Sequence, residues 1–176
     1  MSRNIELKAR CSDLHRAAGV AESLGAILYP VERQHDTYFR VARGRLKLRR
    51  RWVDGRELPS ELIWYERPNA SQQRASDYSL VAVDQGEQLC AQLAGALGVA
   101  NEVSKRRTVY LHAGVRIHLD AVHGLGTFIE FEAIVDADCD DVTAHSKLDR
   151  LRAVFAITPE QIVSGSYADL DRTVRA

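Results

Sequence analysis

Charged and apolar residues alternate along several segments of this chain that read as strand. The pattern is clearest at Glu6-Leu7-Lys8-Ala9-Arg10, Arg45-Leu46-Lys47-Leu48-Arg49, Arg116-Ile117-His118-Leu119-Asp120 and Glu130-Phe131-Glu132, and Lys105-Arg106-Arg107 adds two more cations at the same spacing. Successive strand side chains point to opposite faces, so a period of two collects the charges on one side of a sheet. An open sheet would leave those charges in water, and half-solvated antiparallel sheets are common. A closed sheet would turn them inward, giving a polar tunnel with cations along its walls and carboxylates at a few points. Such a tunnel suits a metal-bound polyphosphate.

The strands come as hairpins. Glu32 to Ala42 ends at Arg43-Gly44, and Arg45 to Val53 ends at Asp54-Gly55, a strong two-residue turn signal. Leu58 to Arg67 and Arg74 to Val83 flank a loop at Pro68-Asn69-Ala70-Ser71. Glu102 to His112, Val115 to Val122 and Thr127 to Val135 follow, separated by Ala113-Gly114 and Gly124-Leu125-Gly126. With the opening strand this makes eight, a number that can close into a barrel. Three amphipathic helices interrupt them. One is capped at Ser12 or Asp13 and stops at Gly25, one spans Asp84 to Leu97, and one is capped by Asp141; a short turn starts at Thr158-Pro159. The helices need apolar strand faces to cover, which favours charges turned inward. The expected class is α+β, an eight-stranded antiparallel barrel with helices outside, in a single domain over residues 1–176.

Composition excludes several classes. Lys+Arg and Asp+Glu are both 24, so no excess of positive charge points to nucleic acid. No apolar run is long enough to span a membrane. Cys11, Cys90 and Cys139 are odd in number and widely spaced, which argues against disulfides or zinc and fits a cytoplasmic protein. The chain prefers Arg, yet Lys8, Lys47 and Lys105 stand on the charged faces, with Lys147 the remaining lysine. Lys is a compact point charge and Arg a planar fork, so the two differ at a phosphate. Arg50 and Arg51 cannot both face inward. His118 is read as a structural hydrogen-bonding residue, His123 as an exposed turn residue, and Tyr38, Phe39, Trp64 and Tyr65 as packing. Tyr167 is read as packing the tail.

Together these motifs resemble the CYTH superfamily of triphosphate tunnel metalloenzymes, which includes class IV adenylyl cyclases, thiamine triphosphatases and inorganic triphosphatases. Asn4-Ile5-Glu6-Leu7-Lys8 matches the family's opening Glu-x-Glu-x-Lys, and Asp36-Thr37-Tyr38-Phe39 and Leu46-Lys47-Leu48-Arg49 match its next strands. Lys105-Arg106-Arg107 matches its Lys-x-Arg strand. The strongest match is Asp120-Ala121-Val122-His123-Gly124-Leu125-Gly126-Thr127-Phe128-Ile129-Glu130-Phe131-Glu132. Gly165-Ser166-Tyr167-Ala168-Asp169-Leu170 resembles the tail of cyclase-like members.

The resemblance implies a triphosphate tunnel. In it Lys8, Lys47, Arg49, Lys105, Arg107 and Arg116 hold phosphates, while Glu6, Asp120, Glu130 and Glu132 hold Mg²⁺ or Mn²⁺. It assigns catalytic roles to Glu6, Lys8 and Glu130, and family members often form homodimers. The expected function is metal-dependent hydrolysis of an inorganic or organic triphosphate. The alternatives are a class IV adenylyl cyclase making cyclic AMP and pyrophosphate, and a catalytically weak polyphosphate- or nucleotide-binding module. Two departures bear on the reaction. Asn4 replaces the family's first Glu, which predicts weak binding of a second metal. Glu66 stands where members carry Lys, leaving Arg67 and Arg74 as nearby cations to substitute.

Overall fold

A computed structural model describes residues 2–66 and 73–174. The elements run β1 (Ser2–Arg10), α1 (Leu14–Ser23), β2 (Ile27–Leu28), β3 (Glu32–Phe39), β4 (Arg45–Val53), β5 (Arg56–Glu66), β6 (Arg74–Val83), α2 (Gly86–Leu97), β7 (Val99–His112), β8 (Val115–Val122), β9 (Gly126–Val135), α3 (Asp141–Val154), a 3-10 turn (Pro159–Gln161) and α4 (Tyr167–Val174). Arg67 and the loop read at Pro68 to Ser71 lie outside the described residues.

The sheet closes. Its strand order is β7-β3-β4-β5-β6-β1-β9-β8, and β8 pairs back onto β7. All these pairings are antiparallel. The eight strands read from periodicity form the barrel, and β2 is an addition. It pairs Ile27 with Leu111 and Leu28 with Tyr110, in line with β3 along the same edge of β7. Tyr29 N–H continues the ladder to Val109 O at 2.9 Å, and Pro30, with no N–H, interrupts it. Two residues are too few to show a period, so this strand leaves no trace in the sequence pattern.

Closure is what turns the charges inward. The β4–β5 turn at Asp54-Gly55 has φ of 49° and 79°, the two positive values a tight hairpin turn requires. Outside the barrel, Ile5, Leu7, Ile117, Leu119, Ile129 and Phe131 meet Ala17 and Ala21 of α1 and Ala144, Leu148 and Leu151 of α3. Of the two candidate caps, Ser12 and Asp13, it is Asp13 that caps α1, its carboxylate accepting from Arg16 N–H. Asp140, not Asp141, caps α3, and Asp141 instead pairs with Arg3. The difference of one residue arises because both are Asp and either could accept from the first turn.

After α3 the chain crosses one end of the barrel. Val163 N–H donates to Lys8 O at 2.9 Å. Val163, Tyr167 and Ala168 then join Tyr38, Ile63, Tyr65, Val103, Val122 and Phe128 in a second apolar cluster. This cluster floors the barrel, so the interior is a cup open at the other end.

Leu148 of α3 is fully buried against the strands. Leu148→Ala should lower unfolding free energy by about 2–5 kcal/mol, with an unchanged denaturant slope. Urea unfolding followed by circular dichroism measures both.

Candidate active site

The interior holds a cavity of about 1140 Å³ lined by residues from all eight barrel strands. Lys8, Lys47, Arg49, Lys105 and Arg107 line its depth beside Glu6 and Glu130, and Asp36, Arg74 and Asp120 are buried in contact with them. The contacts follow the strand register. Asp36 lies directly across from Arg49, and Lys47 and Lys105 are its diagonal neighbours on β4 and β7. Its two oxygens accept from Arg49 at 2.7 and 2.9 Å and from Lys47 at 2.9 Å, with Lys105 at 3.7 Å.

A second group forms across β7, β8, β9 and β1. Arg107 opposes Asp120 and binds it through two nitrogens at 2.7 and 2.6 Å. Arg107 also reaches Glu130 at 2.9 Å, and Lys8, opposite Glu130, reaches it at 3.2 Å. Tyr167 donates its hydroxyl to Asp120 at 2.8 Å. The ammonium groups of Lys8 and Lys105 stand 4.0 and 5.2 Å from its ring centroid. Tyr167 therefore does more than pack the tail: its ring forms the floor under two cations.

Burial sets the titration of these groups. It pushes Lys8 and Lys105 down, and it lowers Lys47 to about 8, helped by neighbouring Arg49. Burial alone would raise Asp36, but Arg49, Lys47 and Lys105 outweigh it and hold the carboxyl well below its usual range. Glu130 behaves alike, burial opposed by Lys8, His118 and Arg107. His118 is buried, opposite Glu130, and its Nδ1 has no hydrogen-bond partner. Burial and then Arg107 push its pKa down, which favours the neutral ring.

The expected phosphate-binding residues divide by depth. Lys8, Lys47, Arg49, Lys105 and Arg107 gather in the deep cavity. Arg116 lies nearer the opening, with 43% of its side chain exposed, and pairs with Glu132 at 3.2 Å. Of the expected metal-binding carboxylates, Glu130 and Glu132 share an inward face and line the cavity, as does Glu6. Glu6 is held by Arg74 at 2.9 Å. Asp120 has both oxygens engaged by Arg107 and Tyr167 and is fully buried. Among the described residues, no group of three His, Cys, Asp or Glu side chains is already gathered as a cation cage.

The donors nonetheless fit a hard divalent cation. Glu6 and Glu132 oppose each other in register, a like-charge pair that a cation would relieve. The Asn4 amide donates to Glu132 while its own carbonyl oxygen is buried without a partner. Oxygen ligands of this kind suit Mg²⁺ or Mn²⁺.

Glu66 does not reverse a tunnel charge. The inward residues of β5 are Glu61, Ile63 and Tyr65, so alternation turns Glu66 outward, where it binds Arg43 at 3.1 Å. Arg74 is the buried cation on the neighbouring strand, and it also donates to Val163 O and Gly165 O of the tail. In the sequence Asp36 stands out only as part of a motif. Its shared parity with Tyr38 and the tunnel cations could have placed it inside, but nothing in sequence shows that three cations converge on it. Arg51 faces inward to Glu32 and Glu61, and Arg50 faces outward to Glu57.

A closed antiparallel barrel with helices outside and a cation-rich interior defines the class of this protein. The CYTH domain model matches residues 2–156, and the chain belongs to that family. Solved structures share the fold. PH1012 from Pyrococcus horikoshii is 21% identical over 97% of this chain and 99% of its own, with a TM-score of 0.81. A candidate adenylate cyclase from Vibrio parahaemolyticus is 17% identical over 98% of both chains, with a TM-score of 0.65. HpAC1 from Hippeastrum, a candidate adenylyl cyclase described with a dominant triphosphatase activity, is 14% identical over 99% of this chain and 96% of its own, at 0.64. A comparison with curated proteins returned no match. Among the described residues no helix is long and apolar enough to cross a membrane.

Asp36→Asn keeps the shape of the side chain and leaves Lys47, Arg49 and Lys105 without their counter-charge. The ligand-free variant should lose about 3–5 kcal/mol of stability. Tripolyphosphate should raise its melting temperature more than that of the parent, as differential scanning fluorimetry would show.

Lys47 titrates near 8 when folded, against an ordinary 10.5. Between these values the unfolded chain binds more protons, so this lysine destabilises the empty fold below pH 8 and the penalty lifts as pH rises. An anion reverses the preference by favouring the charged form. Tripolyphosphate binding at pH 8 should therefore take up protons, and its affinity should fall between pH 7 and 9. Calorimetry in buffers of different ionisation enthalpy measures the uptake.

Proposed function

We propose that the tunnel binds the triphosphate group of its substrate and that the protein hydrolyses a phosphoric anhydride bond with Mg²⁺ or Mn²⁺. The observation that carries this reading is the convergence of Lys47, Arg49 and Lys105 on Asp36 beside Lys8 and Arg107, inside a closed barrel. A triphosphate carries about four negative charges, and each close charge pair gains on the order of 4 kcal/mol at an effective dielectric near 20. Buried cations in this number suit such an anion.

In this reading Lys8, Lys47, Arg49, Lys105 and Arg107 bind phosphate oxygens. Asp36 and Asp120 hold the guanidinium forks of Arg49 and Arg107 in place, so the anion meets oriented donors. Glu130 and Glu132 would hold the metal, with the free carbonyl oxygen of Asn4 as a neutral ligand and Glu6 across the tunnel. When bound, the metal would supply positive charge to offset what develops as the anhydride bond breaks. His118 stands between the two carboxylates, its Nδ1 3.7 Å from Glu130 and its Nε2 3.9 Å from Glu132, and orients them. Asn4 carries no charge, so these residues would hold one ion tightly and a second weakly.

Incubation with Mg²⁺ or Mn²⁺ and tripolyphosphate, ATP or thiamine triphosphate tests the reaction. Release of orthophosphate supports hydrolysis. Cyclic AMP with pyrophosphate would establish the cyclase instead, and binding without turnover a binding module.

Arg49→Ala should weaken tripolyphosphate binding by about 1.5–3 kcal/mol, the range for charge-assisted hydrogen bonds. Unchanged affinity by calorimetry at moderate salt would place Arg49 outside the site. Glu130→Gln keeps the shape of the side chain and should abolish turnover while retaining a cooperative unfolding transition.

A further inference from the structure

Inward-facing residues change character in the same direction along four strands. From the floor outward, β4 presents Lys47, Arg49, Arg51 and Val53, and β6 presents Arg74, Ser76, Tyr78 and Leu80. β7 presents Lys105, Arg107, Val109 and Leu111, and β9 presents Glu130, Glu132 and Ile134. Tyr29 and Leu58 complete the opening, and Tyr29 and Leu80 are each 46% exposed. The cup is cationic at depth and apolar at its mouth.

The charges just below that rim are paired with one another. Arg51 binds both Glu32 and Glu61, and Arg116 binds Glu132. A polar flank remains on one side, where Asp136, Asp138 and Lys147 reach the cavity. Inorganic tripolyphosphate has nothing to place against leucine, isoleucine and valine. A nucleobase is read by polar groups free to bond its edges, and the apolar rim offers few.

We propose that the substrate is an amphiphile, a triphosphate ester of an apolar organic group such as an alkyl or isoprenoid chain, whose phosphates lie deep and whose chain packs against Tyr29, Val53, Leu58, Leu80, Leu111 and Ile134. This rests on the reading of the deep cavity as a triphosphate site. The occupant follows from continuity: the apolar ring and the cations line one cavity, so a single ligand can span both. Burying about two methylenes suffices for about a ten-fold gain in affinity.

The test is calorimetry on the full chain in metal-free buffer with n-octyl triphosphate, tripolyphosphate and ATP. Octyl triphosphate should bind at least about ten-fold more tightly than tripolyphosphate, and ATP less tightly than the octyl ester. Tyr29→Ser and Leu80→Ser are exposed replacements that the fold tolerates. Together they should remove most of the octyl gain and leave tripolyphosphate affinity within about two-fold. Equal binding of octyl triphosphate and tripolyphosphate, with Arg49→Ala weakening both, would overturn the amphiphile and spare the triphosphate site. No binding of any of the three would overturn both. ATP binding more tightly than the ester would assign the mouth to a nucleotide. A change of mass in light scattering for the double variant, with the octyl gain intact, would make the ring a contact between copies of the chain.

Discussion

Burying cations inside a closed barrel is the constraint on which the rest of this structure depends. Desolvation disfavours the charged forms of Lys8, Lys47 and Lys105, and each is pushed down in pKa. The empty protein tolerates them because Asp36, Asp120 and Glu130 stand among them, each placed by strand register rather than by loop geometry. A helix or loop could bring a carboxylate near one lysine. Antiparallel pairing brings Arg49 directly opposite Asp36 and sets Lys47 and Lys105 one step away on either side. The interior is thus held rigid by these pairs, which keep the donors oriented before an anion enters.

The apolar framework serves that interior from two sides. One cluster, under α1 and α3, covers the outer faces of β1, β8 and β9, and the charged face opposite them carries Lys8, His118, Glu130 and Glu132. The second cluster is the floor, and there the tail contributes more than packing. Tyr167 joins Phe128 at 5.0 Å between ring centroids while its hydroxyl holds Asp120. Arg74 ties the same segment to the barrel through two backbone carbonyls. The floor, the cation cluster and Asp120 therefore form one bonded unit, so a change in the tail bears directly on the site.

Much of this was legible in the residues. Period-two alternation assigned the inward faces of β1, β4, β8 and β9, and helices needing apolar surface argued for closure. The family motifs led to Lys8, Lys47, Arg49, Lys105 and Arg107, which the fold gathers in one cavity. Motif spacing does not fix parity at Glu66: the inward residue there is Tyr65, and Glu66 faces Arg43 outside. β2 was missed because its two residues carry no period. The role of Tyr167 beyond packing is hidden in the sequence, because a tail gives no hint there of which end of a barrel it enters.

The sequence by itself determined which side chains share a face, because the pleat of a strand allows only two directions. It determined the helices outside and the hairpin turn at Asp54-Gly55 for equally local reasons. Tertiary structure alone decided which charges meet. Asp36 and Lys105 lie on β3 and β7, far apart in sequence, and only barrel closure and register bring them together. It also decided that Asp120 serves Arg107 and Tyr167 while Glu130 and Glu132 face the cavity, although all three carboxylates look alike in the chain. Long-range pairing is a property of the closed sheet, and no short window of residues contains it.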